Sequence, residues 1–153
     1  LHSLPRILTL AALLALPALS HAQLSPYVFA GAGEAQNGST DTAARVGVGI
    51  EVGIIPIFTP SVEASYFYSA GAKGSVLNGK VDLPLPVPGL TPFVKAGFGR
   101  VGKDSGSQAD TGMVGVGLEV EMLDWGIRLE GDYYRPDNQE TINVWTLGMR
   151  YTF

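Results

Sequence analysis

The sequence contains no cysteine. Disulfides, CxxC redox chemistry and thiolate metal sites are therefore excluded. Histidine is almost as scarce, since the two present, His2 and His21, both lie in the first 21 residues. Past them, no imidazole is left to serve as a general base, a nucleophile's partner or a metal ligand. Charge is sparse as well. Asp, Glu, Lys and Arg make up 16% of the chain, against about 25% in an ordinary soluble domain. The net charge is -4, and no Lys/Arg cluster exists to neutralise phosphates, which argues against a nucleic-acid partner. Neither GxSxG, a P-loop nor HExxH occurs.

Long hydrophobic runs are also missing after the N-terminus. The uncharged stretch "VGIIPIFTPSV", residues 52–62, is broken by two prolines and a glycine. A spanning helix needs about 20 apolar residues. The opening segment is different in kind. "LHSLPR" carries Arg6, "ILTLAALLAL" spans residues 7–16, and "PALSHA" places Ser20 and Ala22 at -3 and -1 of a cut before Gln23. This order predicts a secretory signal peptide over 1–22 and a mature domain over 23–153.

What the mature chain has in abundance is glycine and two-residue alternation. In "ARVGVGIEVG", Val46, Val48, Ile50 and Val52 alternate with Arg45, Gly47, Gly49, Glu51 and Gly53. The same pattern recurs in "PSVEASYFYS", "TPFVKAGFGR", "GMVGVGLEVE", "WGIRLEGDYY" and "NVWTLGMRYTF". Period two is the signature of strands. Eight are expected, at 25–34, 43–53, 59–70, 75–84, 91–101, 111–121, 124–134 and 143–153. In the fourth, "SVLNGKVDLPLPV", Pro84 and Pro86 cannot donate ladder hydrogen bonds, so the strand ends before Pro84 or bends there. The connections "IIPI", "PVPG" and "EMLD" read as tight. "AQNGSTDT", "SAGAKGS", "GKDSGSQAD" and "RPDNQETIN" read as longer polar loops at the opposite end.

In the alternating segments one face is large and apolar, while the other mixes glycine with charge; "SPYVFAGAGEA" and "SVLNGKVDLPLPV" are less clean. A soluble sandwich would instead show water a face of uncharged polar and charged residues. Small residues suit the crowded inside of a narrow barrel, and eight strands leave an interior that side chains can fill. The expected fold is thus all-β: an eight-stranded antiparallel up-and-down transmembrane β-barrel. Arg45, Glu51, Glu63, Lys95, Glu119, Arg128, Glu130 and Arg150, with Glu121 and Asp132, share the small-residue face. They form a candidate luminal charge network, in which Glu63, Glu119 and Glu130 are candidate partners for Arg150. The pairs Glu119/Glu121 and Glu130/Asp132, two residues apart on one strand face, read as salt-bridging carboxylates rather than as a catalytic acid and base. Tyr27, Tyr66, Tyr68, Phe98, Trp125, Tyr133, Trp145, Tyr151 and Phe153 are candidates for interfacial girdles. Asp104 and the "DNQE" at 137–140 read as solvated loop carboxylates, and no catalytic residue, cofactor or metal site is expected.

With its leader, eight strands and aromatic C-terminus, the sequence resembles small bacterial outer-membrane β-barrel proteins, the group containing the OmpA transmembrane domain, OmpX and the opacity-like "porin family" barrels. "YVFAGAG" (27–33) is similar to their opening strand, "LTPFVKAGFG" (90–99) to their fifth, and "LGMRYTF" (147–153) to their closing strand. The resemblance implies outer-membrane lipid as surroundings. It also implies a barrel assembly machinery that reads Tyr151 and Phe153, and loops able to meet a host or surface ligand. A structural or envelope-integrity role is expected first. An adhesin acting through polar loops and a narrow pore are the alternatives.

Overall fold

The computed structural model describes residues 23–53, 59–103 and 106–153. The predicted signal peptide, the "IIPI" connection and Asp104 lie outside the described residues. Eight strands follow in order: β1 (Gln23–Gln36), β2 (Thr40–Gly53), β3 (Thr59–Ser69), β4 (Lys73–Asp82), β5 (Leu90–Gly102), β6 (Gln108–Met122), β7 (Trp125–Pro136) and β8 (Ile142–Thr152). Each pairs antiparallel with the next, and β1 pairs with β8 from Tyr27↔Thr152 to Gln36↔Asn143, which closes the sheet. Closure leaves no open edge, as a spanning sheet requires.

The alternation resolves into two surfaces. Val46, Val48 and Ile50 of β2, Val114 and Val116 of β6, and Leu147 and Met149 of β8 are about half exposed on the outside. Arg45, Glu63, Lys95, Arg128 and Glu130 point inward and are almost wholly buried. A soluble protein inverts this arrangement. Here the outer surface relies on hydrocarbon for its solvent.

The strand limits depart from the sequence expectation in two ways. β4 lies two residues earlier than expected, and Pro84 and Pro86 fall in the connection to β5. The remaining strand prolines, Pro26, Pro60, Pro92 and Pro136, stand near strand ends, where a missing donor costs least. The polar segments expected as loops of seven residues or more are largely drawn into the strands. Only Asn37–Ser39 separates β1 from β2, and only Ala70–Ala72 separates β3 from β4. Ser69 tightens the latter, its Oγ accepting from Ala72 N at 3.0 Å and donating to Ala72 O at 2.9 Å. The difference in loop length between the two ends is therefore not seen. The ends differ in polarity instead. One finishes in hairpins carrying Gln36, Asn37, Lys103, Asp137 and Glu140. The other finishes in exposed Leu83, Leu85, Val87 and Leu123. We call these the polar end and the apolar end; both β1 and β8 have their chain-terminal residues at the apolar end.

Cross-strand geometry explains the glycines. Phe29 stands opposite Gly47 and Tyr27 opposite Gly49. Phe67 faces Gly74, and Phe93 faces Gly117. A Cβ added at any of these glycines would run into the facing ring. Four luminal aromatics thus lie flat across the neighbouring strand, and glycine is what makes room for them. Trp145 and Gly131 repeat the pairing on the outer face.

Candidate functional site: the barrel lumen

The lumen has three layers. At its centre, Arg128 of β7 reaches Glu63 of β3 through two hydrogen bonds of 2.6 and 3.0 Å. It also donates to Glu130 on its own strand, at 3.0 Å from Nε and 2.7 Å from Nη2. The Arg128 guanidinium lies between the rings of Phe29 and Phe93, at 4.3 and 4.6 Å from their centroids. Planar, five-donor arginine suits this stacked, bidentate position in a way that lysine does not. Glu63 also accepts from Tyr27 Oη at 2.6 Å and from Asn78 Nδ2 at 3.1 Å. Glu130 takes Lys95 at 2.6 Å and Arg45 at 2.8 Å. Asp132 takes Lys95 at 2.9 Å and pairs with Arg45, which also donates to Tyr134. Three cations, Arg45, Lys95 and Arg128, thus balance three carboxylates, Glu63, Glu130 and Asp132. Removing charge from water costs several kcal/mol per ion, and this mutual pairing compensates it.

Toward the apolar end the balance tips. Arg150 of β8 donates to Glu119 at 2.6 Å and to Glu51 at 2.5 Å. Glu63 and Glu130, the other candidate partners of Arg150, belong to the central layer instead. Lys80 of β4 pairs with Asp82 at 2.7 Å and stands 3.9 Å from Glu119. Glu121 lies at the rim, 3.9 Å from Arg150 and half exposed. Two cations thus face four carboxylates around an open mouth of about 160 Å³ lined by Glu51, Glu119, Glu121 and Arg150.

Toward the polar end the lumen becomes apolar. Phe67, Val76, Val101, Met113, Tyr134, Ile142 and Val144, with Ala35, Ala43 and Ala72, form one buried cluster. Val101, Tyr134 and Val144 have no exposed surface at all. Between this plug and the mouth, the void beside Arg128 is about 10 Å³, room for one water at most.

Several luminal residues lay outside the sequence reading. Tyr27 is not a girdle aromatic: it is 1% exposed and hydrogen-bonds Glu63 inside the barrel. Its parity carried the signal: it alternates with Val28 and shares a face with Phe29, Gly31 and Gly33. Lys80, Asp82 and Asn78 went unassigned because the prolines after them obscured the phase of β4. Tyr151 is half buried on the outside against Trp125, with Phe153 at its edge, ring centroids 4.8 and 5.1 Å apart. Phe153 N donates to Pro26 O at 3.0 Å, tying the last residue to the first strand. Among the described residues, no group of three or more His, Asp or Glu is arranged to hold a metal ion.

No protein-family model matches this sequence, and no curated protein matches it. Solved structures do match its architecture. Neisserial surface protein A superposes with a TM-score of 0.60 at 12% identity, over 86% of this chain and 99% of that one. The N-terminal β-barrel domain of Pseudomonas aeruginosa OprF gives 0.60 at 17% identity, over 87% and 100%. The Yersinia pestis outer membrane protein Ail, in a phospholipid bilayer nanodisc, gives 0.59 at 12% identity, over 86% and 100%. Taken with the closed eight-stranded sheet, the apolar exterior and the ion-paired interior, these matches give this chain the fold of the small outer-membrane β-barrels.

Proposed function

We propose that this chain is an integral protein of the bacterial outer membrane with a structural, envelope-integrity role, a barrel whose lumen is closed to solutes. The observation that carries the reading is the occlusion of the lumen. A charge-balanced ion-pair layer is backed by an apolar plug in which Val101, Tyr134 and Val144 have no exposed surface. Export would use the segment 1–22, and assembly would use the terminal strand, with Tyr151 and Phe153 recognised by the barrel assembly machinery. Catalysis has little to draw on, because every titratable luminal group is engaged in an ion pair or hydrogen bond and the sequence beyond residue 22 holds no His or Cys.

Cell fractionation with heat-modifiable gel mobility tests the membrane assignment. The protein is expected in the outer-membrane fraction, migrating differently before and after boiling. Recovery in the soluble periplasm with unchanged mobility would refute it. Planar-bilayer recording tests the closed lumen, and the purified barrel is expected to show no discrete conductance steps.

A further inference from the structure

The luminal charges do not cancel at the mouth. In the central layer three cations balance three carboxylates. Toward the apolar end the described residues carry five carboxylates, Glu51, Asp82, Glu119, Glu121 and Asp124, and two cations, Lys80 and Arg150. Both cations are already committed. Arg150 is held by Glu51 and Glu119, and Lys80 by Asp82 at 2.7 Å. Glu121 has Arg150 no nearer than 3.9 Å, and Asp124 forms no ion pair among the described residues.

One of these carboxylates is buried with an oxygen left over. Glu119 is 1% exposed and lines the mouth. Its Oε1 accepts from Arg150 at 2.6 Å. No donor among the described residues hydrogen-bonds Oε2, and Lys80 stands 3.9 Å away. A buried acceptor without a donor is costly, and this one borders open space of about 160 Å³. That is the liquid volume of about five waters, or room for a short unbranched chain. Gly126 keeps the space clear. It is the register partner of Glu121, and a Cβ there would stand 3.5 Å from Glu119 Oε1. Glu121 follows Glu119 by two residues on β6, so the two carboxylates share a face about 7 Å apart. Glu119 is at the floor and Glu121 at the rim, half exposed.

We infer that this mouth binds a short linear diammonium ion, one ammonium on Glu119 Oε2 at the floor and the other at Glu121 and Asp124 on the rim. An ammonium brings three donors and no acceptor, the complement of carboxylate oxygens that lack donors. A metal ion fits less well, because no three carboxylates converge on one point. Glu119 and Glu121 are ranged along β6 instead. A narrow mouth lined by one sign of charge also focuses its field on an entering cation. The ion-pair layer and the plug close the tube behind Glu119, so the ligand enters and leaves by the same opening. The inference goes beyond the proposed structural role and rests on the barrel fold, whichever compartment the mouth faces.

Isothermal titration calorimetry of the purified, folded barrel at low ionic strength tests it, with putrescine, butylamine and magnesium chloride as titrants. Heat-modifiable mobility is checked on the same samples. Wild-type protein is expected to bind putrescine saturably at one site. A hydrogen bond to a charged group is worth about ten-fold or more in affinity, so butylamine, with one ammonium, should bind about ten-fold more weakly. Magnesium should bind more weakly than putrescine as well. Glu119→Gln and Glu121→Gln should each lose about ten-fold for putrescine by the same reasoning. Glu140→Gln, at the polar end, should lose none. No saturable heat with putrescine, or equal affinity for putrescine and butylamine, overturns the inference. Equal affinity for magnesium also overturns it, as diffuse attraction to a negative rim. Glu119→Gln removes a partner of Arg150. If it does not fold, Glu121→Gln decides, and unchanged affinity in that variant overturns the inference. A wild-type chain that shows no heat-modifiable shift defeats the membrane-barrel reading itself, which is a separate failure.

Discussion

At the scale of single residues, the lumen is governed by space and by charge pairing. Glycine opposite an aromatic is a volume requirement, and its violation has a predictable cost. Gly117→Val forces a branched side chain into the Phe93 ring and the Leu129 carbonyl. Overpacking of this kind costs about 1–3 kcal/mol, read as a lower urea midpoint for unfolding in detergent or vesicles. Gly79→Ala is the control, since nothing lies within 4 Å of the added atom and the midpoint should hold. Arg128 is the charge-pairing counterpart. Arg128→Met leaves Glu63 without its bidentate partner in a dry layer, a loss of about 3–5 kcal/mol. Arg128→Lys keeps the charge but cannot make both Glu63 bonds while stacking between Phe29 and Phe93. It should fall between wild type and Met in the same measurement.

The strands carry the membrane-facing consequences. On β7, Trp125 and Tyr133 stand eight residue steps apart, or about 27 Å along the strand at about 3.4 Å per residue. With a tilt of about 40° that spans about 20 Å of bilayer, close to the ~25 Å apolar band of such barrels. Leu129 is at its middle, and Leu129→Arg should destabilise the folded barrel by about 2–4 kcal/mol. The same change at Tyr133, near the interface, should cost about 1 kcal/mol or less. Folding titrations into vesicles give both values. β8 has a further role on the proposed reading. Deleting Phe153 removes the bond to Pro26 O and the edge contact with Tyr151. The expected outcome is a lower assembled fraction in cells, while barrels that do assemble keep the β1–β8 register. Outer-membrane yield and heat-modifiable mobility separate the two effects.

The whole molecule is a tube blocked in two different ways along one axis. Polar pairing fills the middle, and apolar packing seals the polar end. The layers meet at Tyr134, which accepts from Arg45 and donates to Asp132, but each blocks the tube at its own level, so relieving the plug should not open a path. Phe67→Ala with Tyr134→Ala thins the plug yet leaves the Glu63–Arg128–Glu130 layer in place, so planar bilayers should stay silent. Adding Arg128→Ala to that pair breaches both layers, and conductance steps should appear if the triple variant still shows the heat-modifiable shift of a closed barrel. Steps in the double variant would place the barrier in the plug alone.

Alternation by itself determined the eight strands, the outward side of all but β4, and the inward placement of Arg45, Glu63, Lys95, Arg128, Glu130 and Arg150. Side-chain direction in a strand is a local, two-state property that each segment records for itself. Partner choice was only narrowed by the sequence, which offered Glu63, Glu119 and Glu130 to Arg150, of which Glu119 pairs with it. Arg150 meets Glu51 and Glu119 rather than Glu63, and Tyr27 joins Glu63 inside the barrel, because those contacts depend on relative heights set by the register of all eight strands. The sealed end is of the same kind. Ala35, Phe67, Val101, Met113, Tyr134 and Val144 are scattered over six strands and look unremarkable in each. Only closure of the ring brings them to one level, where volume and the exclusion of water make them a plug.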